Sequence, residues 1–316
     1  MHFLTLAMDK FLSNVEREKP IRFTSEQLRI ATDNYASILG SEGFGEVYTG
    51  NLSLRGNTVA VKVLRGNSNK RIEEQFMAQM GTIGKVHHFN LVQLYGFCFE
   101  RDLRALVYEY MANGSLDRHL FHENKTLGYE KLYEIAVGTA RGIAYLCEDC
   151  KQRIIHYDIK PGNILLDSNF NPKVADFGLA KLCNRDNTRI TITGGRRRNL
   201  DINLPESQEW FPVWVSKIFD TGEFSELLTA CGIEKRHQEM AERMVKVALL
   251  CVQYRPESRP IMSDVVKMLE IYKPLNPFQH MMDGTFPGDL VQASRTDPSS
   301  SVNSSSSVMV TKPGIV

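Results

Sequence analysis

A chain of 316 residues, 42% hydrophobic and 24% charged, is long enough to bury a substantial core and reads as globular, either one two-lobed domain or two small ones. Its 38 Lys and Arg balance 37 Asp and Glu, so no strong field gathers nucleic acid or an anionic membrane, and a nucleic-acid binder is disfavoured. The longest apolar opening, Phe3 to Met8, is too short to span a bilayer and lacks the order of a secretory signal, so a cytoplasmic location is expected.

Residues 1–34 carry mixed charge and a possible short helix, with no pattern that defines a domain. From Tyr35 the signals are mostly strands, interrupted by one helical stripe through Ile72, Phe76, Met80 and Ile83, which predicts a small sheet lobe over 35–111. Over 112–273 the pattern turns helical, with stripes through Met240, Met244, Val247 and Cys251, and again through Met262, Val265, Val266 and Leu269. The remaining 274–316 is a Ser-rich tail with too little apolar surface to offset chain entropy, expected to be disordered from about Asp283. The expected fold class is therefore α+β. Cys147 and Cys150 form one close pair without a second pair or histidines at ligand spacing, and read as two reduced thiols at a helix end.

Between two strand signals, the run from Leu39 to Val47 carries Gly40, Gly43 and Gly45, where backbone amides can approach phosphate oxygens without an intervening Cβ. Alone this is a weak signal, equally suited to an empty hairpin. In the following strand Val59, Val61 and Val63 share one face while Ala60 and Lys62 share the other, so Lys62 should point into a cleft. Further on, Asp158, Lys160 and Asn163 fall within eight residues of His156, ahead of the apolar strand Ile164 to Leu166, and Asp176, Phe177 and Gly178 follow a second short strand. Asp158 could accept a hydroxyl proton, Lys160 could neutralise a moving phosphoryl group, and Asn163 with Asp176 could hold Mg²⁺ through hard oxygens. Each is an ordinary polar residue by default, but five elements in this order match a kinase signature set.

With these motifs the chain resembles the eukaryotic protein kinases from about Phe23 to Lys273, and among them the plant receptor-like kinases of the rust-resistance type. Supporting runs are Phe23 to Leu28, Asn90 to Cys98, Leu106 to Met111 and Cys251 to Pro260. The resemblance implies a two-lobed fold, ATP and Mg²⁺ as cofactors, and transfer of the γ-phosphoryl group to serine or threonine hydroxyls of a protein substrate. It also implies that Leu39, Val47, Ala60 and Leu165 help bind the nucleotide, that Glu109 and Met111 present backbone groups to adenine, and that Tyr108 guards the pocket behind it. A fuller receptor form would place the domain at the cytoplasmic face of the plasma membrane.

Several positions depart from that pattern. Glu42 stands where the second glycine of the loop is expected, Gln79 replaces the helix glutamate that pairs with the strand lysine, and Tyr157 replaces an arginine, as in the resembling plant group. After Thr191 to Gly195 neither the substrate loop nor a buried central helix is visible, and Arg196 to Ile202 resembles the segment beyond that helix, as if a few tens of residues had been excised near 195/196. Leu204, Pro205 and Glu206 offer a rival reading as the missing triplet, which would make Trp210 to Phe219 the central helix, with Pro212 breaking its first turns unless the helix begins there. Under excision, Arg259 loses its expected carboxylate partner and the large lobe its ordinary packing. Three functions stay open: a kinase with impaired activity, a non-catalytic module docking on a partner kinase, and a shortened product with no stable fold.

Overall fold

The computed structural model describes residues 20–42, 45–52, 57–66, 68–121, 127–183, 211–253 and 255–270. The small lobe is a six-stranded sheet with one long helix. Its strands are Ile21–Arg22 (β1), Ile38–Glu42 (β2), Gly45–Leu52 (β3), Asn57–Leu64 (β4), Leu94–Phe99 (β5) and Arg104–Glu109 (β6), in the spatial order β1-β5-β6-β4-β3-β2. All neighbours are antiparallel except β1, which runs parallel to β5. β4 is rich in β-branched residues and lies between β3 and β6, where Val59 and Val61 are buried with Phe23, Leu28, Cys98 and Val107 in a core of their own.

Residues 20–34 belong to this lobe. Helix Ser25–Ala31 (α1) is started by a capping box, Thr24 accepting from the Gln27 amide while the Gln27 side chain accepts from Thr24 N. Leu28 is fully buried and Phe23 nearly so. β1 can pair with β5 because residue 96 is glycine: a Cβ there would lie 2.3 Å from the Ile21 carbonyl oxygen and 2.4 Å from the Phe23 ring. The sequence pattern missed this attachment because two residues of strand and seven of helix carry almost no periodicity.

Helix Asn69–Thr82 (α2) starts at Ser68, whose hydroxyl accepts from Arg71 N. Its expected stripe is realised: Phe76 and Met80 are buried on the sheet, Ile83 follows in a short 3₁₀ turn, and Ile72 packs half-buried beside them. Phe76 sits between the rings of Phe97 and Phe99, at 5.9 and 5.0 Å.

The lobes are joined by a strap. Val92 N donates to the Val174 carbonyl (3.0 Å) and Val174 N donates to that of Asn90 (2.9 Å), pairing the strap with the large lobe. Asn90 in turn lies flat on helix Tyr129–Ala144 (α4) because that helix carries glycine at 138 and 142; a Cβ on Gly142 would approach the Asn90 carbonyl oxygen to 2.7 Å. The rest of the large lobe comprises Leu116–Phe121 (α3), the strands Arg153–Ile155 (β7), Ile164–Leu166 (β8), Pro172–Val174 (β9) and Lys181–Cys183 (β10), and the helices Phe211–Thr221 (α5), Phe224–Ala230 (α6), Lys235–Cys251 (α7) and Met262–Glu270 (α8). β8 pairs with β9 and β10 with β7, both antiparallel.

Helices α7 and α8 pack directly on α4: Val247, Val265 and Leu269 share a core with Val137 and Ala140, with Met244, Cys251, Met262 and Val266 around it. This contains both expected stripes except Met240. A second core joins Val215 of α5 to Phe224, Leu228, Ala241 and Leu249. Helix α5 begins at Phe211, so Pro212 falls in its first turn and is tolerated there. It is not a buried central helix: Val215 and Ser216 are buried, whereas Trp214 is 39% exposed and Lys217 and Asp220 face solvent. The expected buried lone charge at Arg259 is corrected as well, since Arg259 is only half-buried and donates through Nε to the Gln253 carbonyl (2.8 Å). The join at 195/196, Arg196 to Arg198, the Leu204 to Glu206 triplet and the Ser-rich tail lie outside the described residues.

Candidate active site

The cleft between the sheet and α3 holds a cavity of about 510 Å³. Its roof is Leu39 and Gly40 of β2, Val47 of β3, and Ala60 and Lys62 of β4; Gly162, Asn163 and Leu165 face them from the large lobe. Gln79, Val92 and Tyr108 close the back, and Glu109 to Met111 form the side where the chain crosses between lobes. The alternation of β4 sends Lys62 into the cleft while its neighbours Val61 and Val63 face the other core.

Lys62 is buried and its Nζ lies 2.8 Å from Asp176 Oδ1, the two side chains being 6% and 10% exposed. A pair this enclosed keeps much of its Coulomb attraction, and losing either member would leave a charge stranded. Asp176 adopts a left-handed backbone (φ 58°) and also accepts from Gly178 N at 3.3 Å. A left-handed non-glycine residue is strained, and here the surroundings hold it: Phe177 is buried at 1% exposure with the His156 ring 4.9 Å away. His156 is fixed on both nitrogens, Nδ1 accepting from Asp158 N (3.3 Å) and Nε2 facing the Ala175 carbonyl (2.8 Å), which places its proton on Nε2. Burial lowers the His156 pKa, opposed by the Ala175 carbonyl, so the ring is held neutral.

Asp158 is presented beside this anchor, just outside the cavity wall. Its Oδ2 accepts from Lys160 Nζ and Asn163 Nδ2, each at 2.9 Å, and Asn163 Nδ2 also donates to the Asp158 carbonyl at 2.8 Å. Asn163 thereby spends its amide on Asp158 and leaves Oδ1 without a hydrogen bond among the described residues. Asn163 and Asp176 both stand in the cavity wall, and their side chains supply hard oxygens, the donor type Mg²⁺ prefers; this donor set fits a divalent cation. Tyr157, at the arginine position, has φ 64° and lies under Lys181, whose Nζ is 5.7 Å from the ring centroid.

Two expected nucleotide contacts need correction or lie out of view. Gly45 does not line the cavity; its φ of 147° and the Val63 carbonyl, 2.0 Å from where a Cβ would stand, show that glycine is required there for close strand approach. Gly43 and the Glu42 side chain lie outside the described residues. The role of Lys173 was not foreseen: its Nζ lies 3.1 Å from Glu109 Oε1, which also accepts from Gln93 N at 2.7 Å. This half-buried clamp ties the crossing segment to β9. Arg118 and His119, also unforeseen, flank the cavity from α3.

A family model described as protein tyrosine and serine/threonine kinase matches residues 34–208, more than half of the chain. The chain belongs to the protein kinase family. Protein kinases as a family use ATP with a divalent cation and act on proteins. This kinase chain is 39% identical to a LEAF RUST 10 disease-resistance locus receptor-like protein kinase-like 2.2 of Arabidopsis thaliana, over 82% of the chain and 47% of that protein. It is 36% identical to the rust resistance kinase Lr10 of Triticum aestivum, over 84% and 48%. A G-type lectin S-receptor-like serine/threonine-protein kinase of Arabidopsis thaliana is 40% identical over 80% of the chain and 33% of its own length. The kinase chain thus spans about half or less of these curated relatives. In the first of them 307 positions align, whereas 82% of 316 residues is about 259, so part of the relative's aligned stretch has no counterpart here. No helix among the described residues is long and apolar enough to cross a membrane.

Proposed function

We propose that this chain is a serine/threonine kinase domain that binds ATP between its lobes but transfers the phosphoryl group poorly. The observation that carries the reading is the convergence of Lys62, Asn163 and Asp176 on one cavity, with Asp158 and Lys160 bonded to one another at its edge. In this reading Leu39, Gly40, Val47, Ala60 and Leu165 enclose the base, and Glu109 and Met111 offer it backbone groups. Lys62 meets the phosphates, Asn163 and Asp176 hold Mg²⁺, and Asp158 orients the attacking hydroxyl, with Lys160 beside it. The cation would supply charge neutralisation at the phosphates when bound.

Poor transfer is supported by two features. Gln79 is neutral and turned to Tyr108 rather than offering Lys62 a charge. The shortfall against the aligned relative, together with α7 and α8 lying directly on α4, supports the loss of a central large-lobe helix near 195/196. The receptor-like names of the relatives support a receptor-like context, in which the domain would work at the cytoplasmic face of the plasma membrane.

Incubation with Mg²⁺-ATP and a generic basic protein substrate tests this. Trace transfer, removed by Asp158→Asn, is expected. Turnover in the ordinary kinase range of about 1–100 s⁻¹ would overturn the claim of impairment. The rival reading, a binding module docking on a partner kinase, is favoured by the same neutral Gln79; it expects partner capture that Asp158→Asn leaves intact.

A further inference from the structure

Helix α4 runs on into a π turn, Tyr145–Asp149, and this wide turn carries Cys147 against β7. The Cys147 thiol faces the Ile154 carbonyl at 3.9 Å, and Arg153 Nε donates to the Cys147 carbonyl at 3.1 Å. In the antiparallel pair of β7 with β10, the residue opposite Arg153 is Cys183. Opposite residues of such a pair send their side chains to one face, with Cβ atoms about 4.5–5.5 Å apart. Arg153 therefore reaches Cys147 across the same face from which the Cys183 side chain projects. Two half-buried free thiols, brought from opposite ends of the catalytic segment, stand around one arginine. Burial raises the Cys147 pKa, Arg153 opposes the rise, and Glu148 and then Cys183 add to it, so the two sulfurs feel one another's charge. Cys150 is close in sequence but committed elsewhere. It is 7% exposed, its amide donates to the Tyr145 carbonyl at 3.1 Å, and its thiol meets the Tyr145 phenol.

We propose that Cys147 and Cys183 form a dithiol site that hydrogen peroxide converts to a disulfide, fastening β10 to the end of α4. The Cys183 thiolate, the more exposed sulfur, attacks one peroxide oxygen; the O–O bond breaks, and the departing oxygen takes the thiol's proton and leaves as water. Cys183 is then a sulfenic acid. The Cys147 sulfur displaces its hydroxyl, which leaves with the Cys147 proton as a second water while the S–S bond forms. Two thiols are oxidised by two electrons and one peroxide is reduced to two waters. The loop so closed contains Asp158, Asn163 and Asp176, and cross-linking restricts the freedom of everything within it. This site stands whether or not the cleft takes a nucleotide.

The test treats the reduced full chain with an equimolar amount of hydrogen peroxide, in native buffer and in urea. Remaining thiols are alkylated, and the bonds are mapped by mass spectrometry of the unreduced digest. In native buffer a Cys147–Cys183 bond is expected at least about tenfold above any other pair. That preference should vanish in urea, where only separation along the chain selects partners. Cys150→Ser should leave the bond intact, whereas Cys147→Ser should leave Cys183 as a sulfenic acid that dimedone captures. A dominant Cys147–Cys150 bond, intermolecular bonds alone, no bond at all, or the same pairing in both solvents overturns the proposal. A chain that does not fold in native buffer gives the last of these results, so it counts against the proposal as well.

Discussion

Lys62 shows how one side chain is set by strand alternation and then tied by charge. Its pairing with Asp176 is nearly dry, so Lys62→Met should lower the unfolding free energy by about 3 kcal/mol, read from urea denaturation, by stranding the carboxylate. Adding Asp176→Asn should return part of that loss, and strict additivity of the two would count against a direct pair. His156 adds a pH dependence. Its pKa is lowered in the fold from a reference of 6.5, chiefly by burial, so the unfolded chain binds the proton more readily. Stability should therefore be level above pH 6.5 and fall as pH drops below it; His88, also lowered by burial, acts in the same direction. Thermal melts between pH 8 and 5.5 should show a shallower decline in His156→Asn. The placement of Lys62, Asn163 and Asp176 on one cavity, with Asp158 bonded to Asn163 beside it, was legible in the sequence because each sits in a local motif. The Tyr108 to Gln79 bond and the Lys173 to Glu109 clamp were not, because each joins side chains far apart in the chain that only folding brings together.

At the scale of elements, long periodic segments declared themselves and short ones did not. The α2 stripe and the α8 stripe were readable because several apolar residues recur at helical spacing. β1 was hidden, since its evidence is a glycine on another strand. Gly96→Ala would push a methyl into Ile21 and Phe23, so it should unseat β1 and raise amide exchange over residues 21–31 while leaving β4 protected. Gly45 was taken for a phosphate-contact glycine, and its strand crossing explains the same residue without a ligand.

On the scale of the whole molecule, a large lobe holds together by placing α7 and α8 on α4. Leu269, 6% exposed within that core, should cost about 2–5 kcal/mol when replaced by alanine, visible as a lowered urea midpoint with an unchanged slope. The two-lobed architecture was legible from the switch between strand and helix periodicity. The helix-on-helix arrangement was not, because amphipathic stripes state which face is buried and never against which partner. What unites the scales is a cleft that carries a charged lining between the two lobes. Displacement of a fluorescent ATP analogue by ATP, in the wild type and in Lys62→Met, tests that claim most directly. Saturable, ATP-displaceable binding in the wild type and its loss in Lys62→Met are predicted. Equal affinity in the two chains, both shown folded by far-UV circular dichroism, would contradict it.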